Sequence, residues 1–144
     1  MASLTSARWA PEFSIRNKMF PLAGFATAYR GGMAAADTSS GCVRPATSNT
    51  ATLINIGQFM ADVNNSATSA TTLVNVQLTR EIFVSWYDNA TGANAIVAGT
   101  LFSNCYMQDD HTVTLSTGVG SAVAGRVWGI DASLGVLVQP IFLY

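Results

Sequence analysis

The chain has 144 residues, of which 49% are hydrophobic and only 10% charged, with a formal net charge of −1. A chain of this size buries roughly 68–70% of its unfolded surface, so one domain can hold its own core, and so little charge implies much surface covered by partners. No stretch approaches the about 18 consecutive apolar residues of a membrane span. The two cysteines, Cys42 and Cys105, make neither a disulfide framework nor a CxxC pair. With no signal peptide visible, they read as reduced thiols in a cytosolically made protein.

Charge divides the chain in two. Residues 1–45 carry five cations (Arg8, Arg16, Lys18, Arg30, Arg44) against Glu12 and Asp37. Residues 46–144 carry Arg80 and Arg126 against six carboxylates. The first part reads as an extended N-terminal arm and linker. Its apolar residues, from Leu4 and Trp9 to Tyr29 and Met33, keep neither a period of 2 nor one of 3.6, and Pro11 and Pro21 interrupt any long helix. Gly31-Gly32 and the run Ala34 to Gly41 read as flexible linker. Ordering each residue costs ~1–2 kcal/mol and burying a large apolar side chain returns ~1.5–3 kcal/mol, so about ten anchors do not order the arm by burial alone. Strand addition or partner contact is then needed; the alternative is an ordinary N-terminal strand or two packed on the same core.

Residues 46–144 read as a small all-β body, a compact barrel or sandwich. Thr50 to Ile56 is a short strand; Gly57 to Val63 fits either a strand or a helical turn; Asn64 to Thr72 is a loop. Thr72 to Tyr87 alternates most clearly. Val74, Val76, Leu78, Ile82, Val84 and Trp86 form the apolar face, with a bulge or bend expected near Arg80. Asp88 to Gly92 turns the chain, and Ala93 to Asn104 has room for a helical turn. Two hairpins follow. Cys105–Met107 and His111–Leu115 flank Gln108-Asp109-Asp110; after a turn over Ser116 to Ser121, Val123–Ile130 and Val136–Gln139 flank Asp131-Ala132-Ser133. The close, Pro140-Ile141-Phe142-Leu143-Tyr144, is apolar enough for a last core strand or a subunit contact.

Candidate chemistry is sparse. Asp109-Asp110-His111 contains the only histidine and the only adjacent carboxylates. Alternation along a strand sends such neighbours to opposite faces, and no second histidine is present to complete a zinc or iron site. The expectation is a polar turn whose aspartates accept local backbone amides, with neither a catalytic nor a metal role. Cys105 and His111 face each other if the hairpin register allows, yet a Cys–His pair needs an orienting group and a cleft, and Cys105 reads as a small buried hydrophobe. Gly118 to Gly125 lacks the spacing of either nucleotide-binding loop. No cofactor is expected, and five cations over the arm are too sparse for nucleic acid.

Three segments together carry a resemblance. They are Trp86-Tyr87-Asp88-Asn89, Asn104-Cys105-Tyr106-Met107-Gln108-Asp109-Asp110-His111-Thr112-Val113-Thr114, and Ala124-Gly125-Arg126-Val127-Trp128-Gly129-Ile130-Asp131 with Gly135-Val136-Leu137-Val138-Gln139. This pattern, over about the last 65 residues, resembles the tailed-phage head decoration, or capsid cement, proteins. The resemblance implies a small β-barrel on the outer surface of an icosahedral capsid, bridging neighbouring major capsid subunits. It implies a homo-oligomer, commonly a trimer, with a dimer as the alternative, and no enzyme activity, cofactor, nucleic acid or membrane partner. The expected partner contacts are Arg8, Trp9, Phe13, Arg16, Phe20 and Phe25 in the arm and Phe142 and Tyr144 at the end. On this reading, deletion of residues 1–30 leaves a folded body. A head-completion or tail protein is the runner-up, and a small hydrolase using Asp109, Asp110 and His111 the more distant one.

Overall fold

The computed structural model describes residues 17–48, 50–78, 85–115 and 122–140. Within them the protein is all-β. Twelve strands run in chain order: β1 (Asn17–Pro21), β2 (Thr27–Ala28), β3 (Met33–Asp37), β4 (Cys42–Pro45), β5 (Leu53–Phe59), β6 (Val63–Asn64), β7 (Leu73–Leu78), β8 (Ser85–Asn89), β9 (Asn104–Met107), β10 (Thr112–Thr114), β11 (Val123–Asp131) and β12 (Gly135–Gln139). Two short 3-10 turns, Gly92–Asn94 and Ala98–Thr100, sit in the span where a helical turn is expected. No helix among the described residues is long and apolar enough to cross a membrane.

The strands divide between two main sheets. The first has the order β1-β7-β5-β3-β4, and a parallel bridge from Leu22 to Val43 draws its two edges together. The second is a closed barrel, β10-β8-β12-β11-β9, whose seam is the parallel pair of β10 and β8. Strands β2 and β6 form a separate short ribbon. Both hairpins of the second half form as the turn residues imply. Met107 lies opposite Val113 across the first, and Val127 opposite Val138 across the second.

Residues 17–45 are not an arm or a linker. They form β1 to β4, and β3 pairs with β5 across the expected boundary at 45. The Ala34 to Gly41 stretch, expected as linker, is most of β3 and its turn. Ala34 packs in one core with Leu22, Val43, Phe59, Val74 and Val76. Met33 and Ala35 pack in the other with Tyr87, Ile96, Met107, Val113, Val127 and Val138. A strand buried on both faces shows no polar alternation, and its small alanines let both cores approach the backbone closely. Ordering comes from strand pairing, which supplies the hydrogen bonds that apolar anchors alone lack. Deletion of residues 1–30 would therefore remove β1 and β2.

The apolar face expected over Thr72 to Tyr87 is not one face. Val74 and Val76 are buried in β7, whereas in β8 Ser85 and Tyr87 are buried and Trp86 points outward. The two strands belong to different sheets, so one period does not run through both. The bend expected near Arg80 and the turn over Ser116 to Ser121 lie outside the described residues.

Barrel closure depends on bulges. Register shifts at Val123/Gly125 and at Val127/Gly129 bend β11 twice. Gly125 has φ 158°, and a Cβ there would lie 2.2 Å from the Gln139 carbonyl oxygen, so no side chain fits. Gly57, beside the shift in the β3–β5 pair, is similar: a Cβ would lie 1.8 Å from the Gln77 oxygen.

Candidate functional site

The Gln108–His111 tip joins β9 to β10, and it brings its three candidate groups together. His111 Nδ1 lies 3.0 Å from Asp110 Oδ1 and 3.1 Å from Asp109 Oδ1. The candidate ligand atoms of all three residues fall within 4.8 Å of one another. The alternation that separates strand neighbours does not operate here, because these residues are the turn and not a strand.

The same turn also uses its aspartate as expected. Asp109 Oδ1 accepts the amides of His111 at 2.9 Å and Thr112 at 2.7 Å. The backbone carbonyl of Asp110 accepts the Met33 amide at 2.5 Å, and that of His111 accepts the Asp88 amide at 2.7 Å. The tip thus ties the barrel seam to β3. The hydrogen bond that Asp110 accepts from His111 raises the His111 pKa above its usual value; burial opposes the rise, and the charges of Asp109, Asp110 and Asp88 add to it. His111 is 65% exposed, so water screens these charges. Among the described residues the geometry closes a turn and leaves the imidazole open to water.

Cys105 does not face His111. The register sets Tyr106 against Thr114 and Met107 against Val113, which leaves Cys105 deep in the barrel and His111 at its exposed end. The Cys105 thiol donates to the Gly125 carbonyl at 3.5 Å, and burial pushes its pKa up to about 12. It is a buried hydrophobe and not a nucleophile at neutral pH. Gly125, the end of the Gly118 to Gly125 stretch, is a strand residue of β11.

A carboxylate that sequence patterning does not single out is the more heavily bonded one. Asp37 ends β3, and its Oδ1 accepts Ser39 Oγ at 2.6 Å, the Ser39 amide at 3.0 Å and Thr52 Oγ1 at 3.0 Å. Arg44 Nη1 lies 3.5 Å from the other oxygen, and the Asp37 side chain is 7% exposed. The Ser39 hydroxyl, more than the opposing burial, holds the Asp37 pKa down to about 2, with help from the Ser39 amide, Thr52 and Arg44. Its local signal is an aspartate two residues before a serine at a strand end, common in turns of no further role.

Where the two sheets meet, Asn55 Nδ2 donates to the Ala124 carbonyl at 2.9 Å while its Oδ1 accepts the Gly57 amide at 3.1 Å. The Tyr87 hydroxyl faces Asn55, Gln58 and Ser85 yet makes no well-formed hydrogen bond among the described residues, and neither does Ser85 Oγ. Burial pushes the Tyr87 phenol up to about 12.

Of the expected partner contacts, Arg8, Trp9, Phe13, Arg16, Phe142 and Tyr144 lie outside the described residues. Phe20 pairs with Val74, packs against the first core and lies 5.2 Å from Lys18 Nζ. Phe25 is displayed: it is 72% exposed with φ 57°. Sequence reasoning missed a second display. Phe102 is 64% exposed with φ 66°, and its ring meets Trp128 edge-on at 6.0 Å. The available signal was parity, since Trp128 shares the solvent side of β11 with Arg126. No family model matches the chain, and no curated protein and no solved structure matches it either.

Proposed function

We propose that the chain is a structural, non-enzymatic virion protein that binds the outer surface of an icosahedral phage capsid and cements neighbouring major capsid subunits. One observation carries this reading. Phe25 and Phe102 are both exposed and both at positive φ, on turns fixed by rigid strands. A bulky residue in the left-handed region is strained, and its ring gains nothing from water. Burial against a partner offsets both penalties, and aromatic anchors on rigid scaffolds are typical of binding surfaces. The resemblance of the second half to decoration proteins names the partner class. A homotrimer, or a dimer, would add several such contacts, so that occupancy rests on avidity.

Because residues 17–45 belong to the sheets, the truncation that tests the expected contacts Arg8, Trp9, Phe13 and Arg16 stops at residue 16. The expected outcome is a folded body that no longer co-sediments with capsids of the virus encoding it, while Phe25→Ser and Phe102→Ser in the full chain weaken co-sedimentation without lowering stability. Wild-type capsid occupancy by all three variants overturns the reading. Electron microscopy of the particles separates this role from head completion or a tail position by location and copy number.

A further inference from the structure

The outer face of β8, β12 and β11 is ordered in three rows. Trp86 lies directly opposite Leu137, and Leu137 opposite Gly129, which makes the middle row. Directly paired residues share a face. To one side of this row Arg126 pairs with Gln139, and to the other Asp131 pairs with Gly135. Gln139 and Gly135 each stand two residues from Leu137, so the cation and the carboxylate lie about 7 Å to either side of the middle row. The register shift between Val127 and Gly129 makes Trp128 the extra residue of β11; Val127 is buried, and Trp128 joins Arg126 on the outer face. Trp128 Nε1 donates to Gln139 Oε1 at 2.6 Å, and Phe102 stands at 86° to the indole, the two rings forming an L-shaped notch. The indole is thus held in place, yet Trp128 is 47% exposed and Trp86 39%.

Three features of this face find no complement among the described residues. The Arg126 guanidinium has no ion-pair partner there. Asp131 is exposed, and only its Oδ1 is engaged, by the Ser133 and Leu134 amides at 2.7 Å and 2.9 Å. Gly129 is not required by its own backbone: its φ is outside the left-handed region, and a Cβ there would meet nothing nearer than Leu137 Cβ at 3.6 Å. A glycine inside a strand often marks a place where another surface approaches closely. The three features complement one another once the face is doubled. A two-fold axis lying along the middle row, across the strands, sets the Arg126 end of one copy against the Asp131 end of another. The same rotation carries Trp128, on the Arg126 side of the axis, over Gly129, on the Asp131 side. Trp86 and Leu137 meet their own counterparts on the axis. A uniformly acidic or basic partner would match one end of the face and be repelled by the other.

We propose that this face joins two copies of the chain as a two-fold dimer, with Arg126 of each copy paired to Asp131 of the other and Trp128 of each seated over Gly129 of the other. The aromatic middle is the dry centre of the contact, and the ion pairs form its rim. The dimer stands on this geometry alone and does not depend on the capsid reading.

Sedimentation equilibrium of the purified full chain tests it. The wild type should approach a dimer mass as concentration rises. Arg126→Asp and Asp131→Arg should each raise the dissociation constant about tenfold or more, because the symmetry places two like-charge contacts in the interface. Mixing the two variants should restore dimers at wild-type concentrations, and so should the double variant, since every contact again joins opposite charges. Gly129→Val, where the chain's own fold leaves room for a side chain, should weaken the dimer by a similar factor. A monomer mass at the highest soluble concentration overturns the proposal, and so does a trimer mass, which a single two-fold does not produce. Wild-type association in either charge variant, or no recovery on mixing, places the contact on another face. An undiminished dimer in Gly129→Val removes the seat for Trp128 and with it the proposed packing.

Discussion

Two turns in this molecule are built around aspartate, and they are opposites. The β9–β10 tip gathers two carboxylates and an imidazole within hydrogen-bond range, yet all three side chains are open to water to some degree. The β3–β4 turn has one carboxylate, nearly buried, with three hydrogen bonds and an arginine. The cluster that resembles chemistry by residue type is the weaker electrostatic centre. The strength of a carboxylate's interactions follows from how much water its partners replace, not from how many ionisable groups stand beside it.

Removing each turn's carboxylate should make the contrast sharpest. Asp37→Ala leaves Ser39, Thr52 and Arg44 without their shared acceptor and should lower unfolding stability by about 2–4 kcal/mol, read by chemical denaturation. Asp109→Ala frees two amides and removes one carboxylate from His111 at an exposed tip, and should lower it by about 1 kcal/mol. Equal losses would break the comparison.

Acid titration asks the same question through protonation. The folded pKa of Asp37 is depressed, so its contribution is fully present above the unfolded value of 3.8 and is lost as pH falls towards about 2. That loss should amount to about 2 kcal/mol and be absent in Asp37→Asn, as measured by stability against pH. The sign is reversed for His111. Its folded pKa is raised, so its contribution is present below the unfolded value of 6.5 and disappears as pH rises through the folded one. Screening at this exposed site keeps the change well below that of Asp37, and His111→Ala should leave stability near neutral pH almost unaltered. A pH dependence in the neutral range larger than the acid one would reverse the ranking.

A small effect is also expected where burial occurs without a hydrogen bond. Tyr87→Phe removes a hydroxyl that has no well-formed partner among the described residues, so stability should change by less than about 1 kcal/mol, in either direction. A loss of several kcal/mol in a thermal melt would mean that the hydroxyl is bonded after all.

Much of the second half was legible in the chain. Gln108-Asp109-Asp110 and Asp131-Ala132-Ser133 each read as a turn between alternating strands, and β9–β10 and β11–β12 pair across them. Cys105 read as a buried hydrophobe, and it is one. The first half was not legible for the same reason that β3 is central. Met33-Ala34-Ala35-Ala36 touches two cores, and a strand without a polar face has the local pattern of a small-residue linker. Trp86 was misassigned because alternation was carried from β7 into β8 as though the two shared a sheet.

At the candidate sites the division is similar. The amide-capping role of Asp109 followed from turn chemistry alone, because a short side chain bonds the nearest amides whatever surrounds it. The convergence of Asp110 and His111 on it, the joining of that tip to Met33, and the Phe102–Trp128 notch bring together groups that local patterning does not relate. The sequence by itself determined the all-β character, the two later hairpins and the burial of Cys105, since each depends on neighbours a few residues apart. The tertiary structure alone decided that residues 17–45 belong to the sheets, that Asp37 outweighs the tip, and which aromatic rings face water. Those outcomes turn on pairing partners far along the chain, and on the water that such pairing excludes.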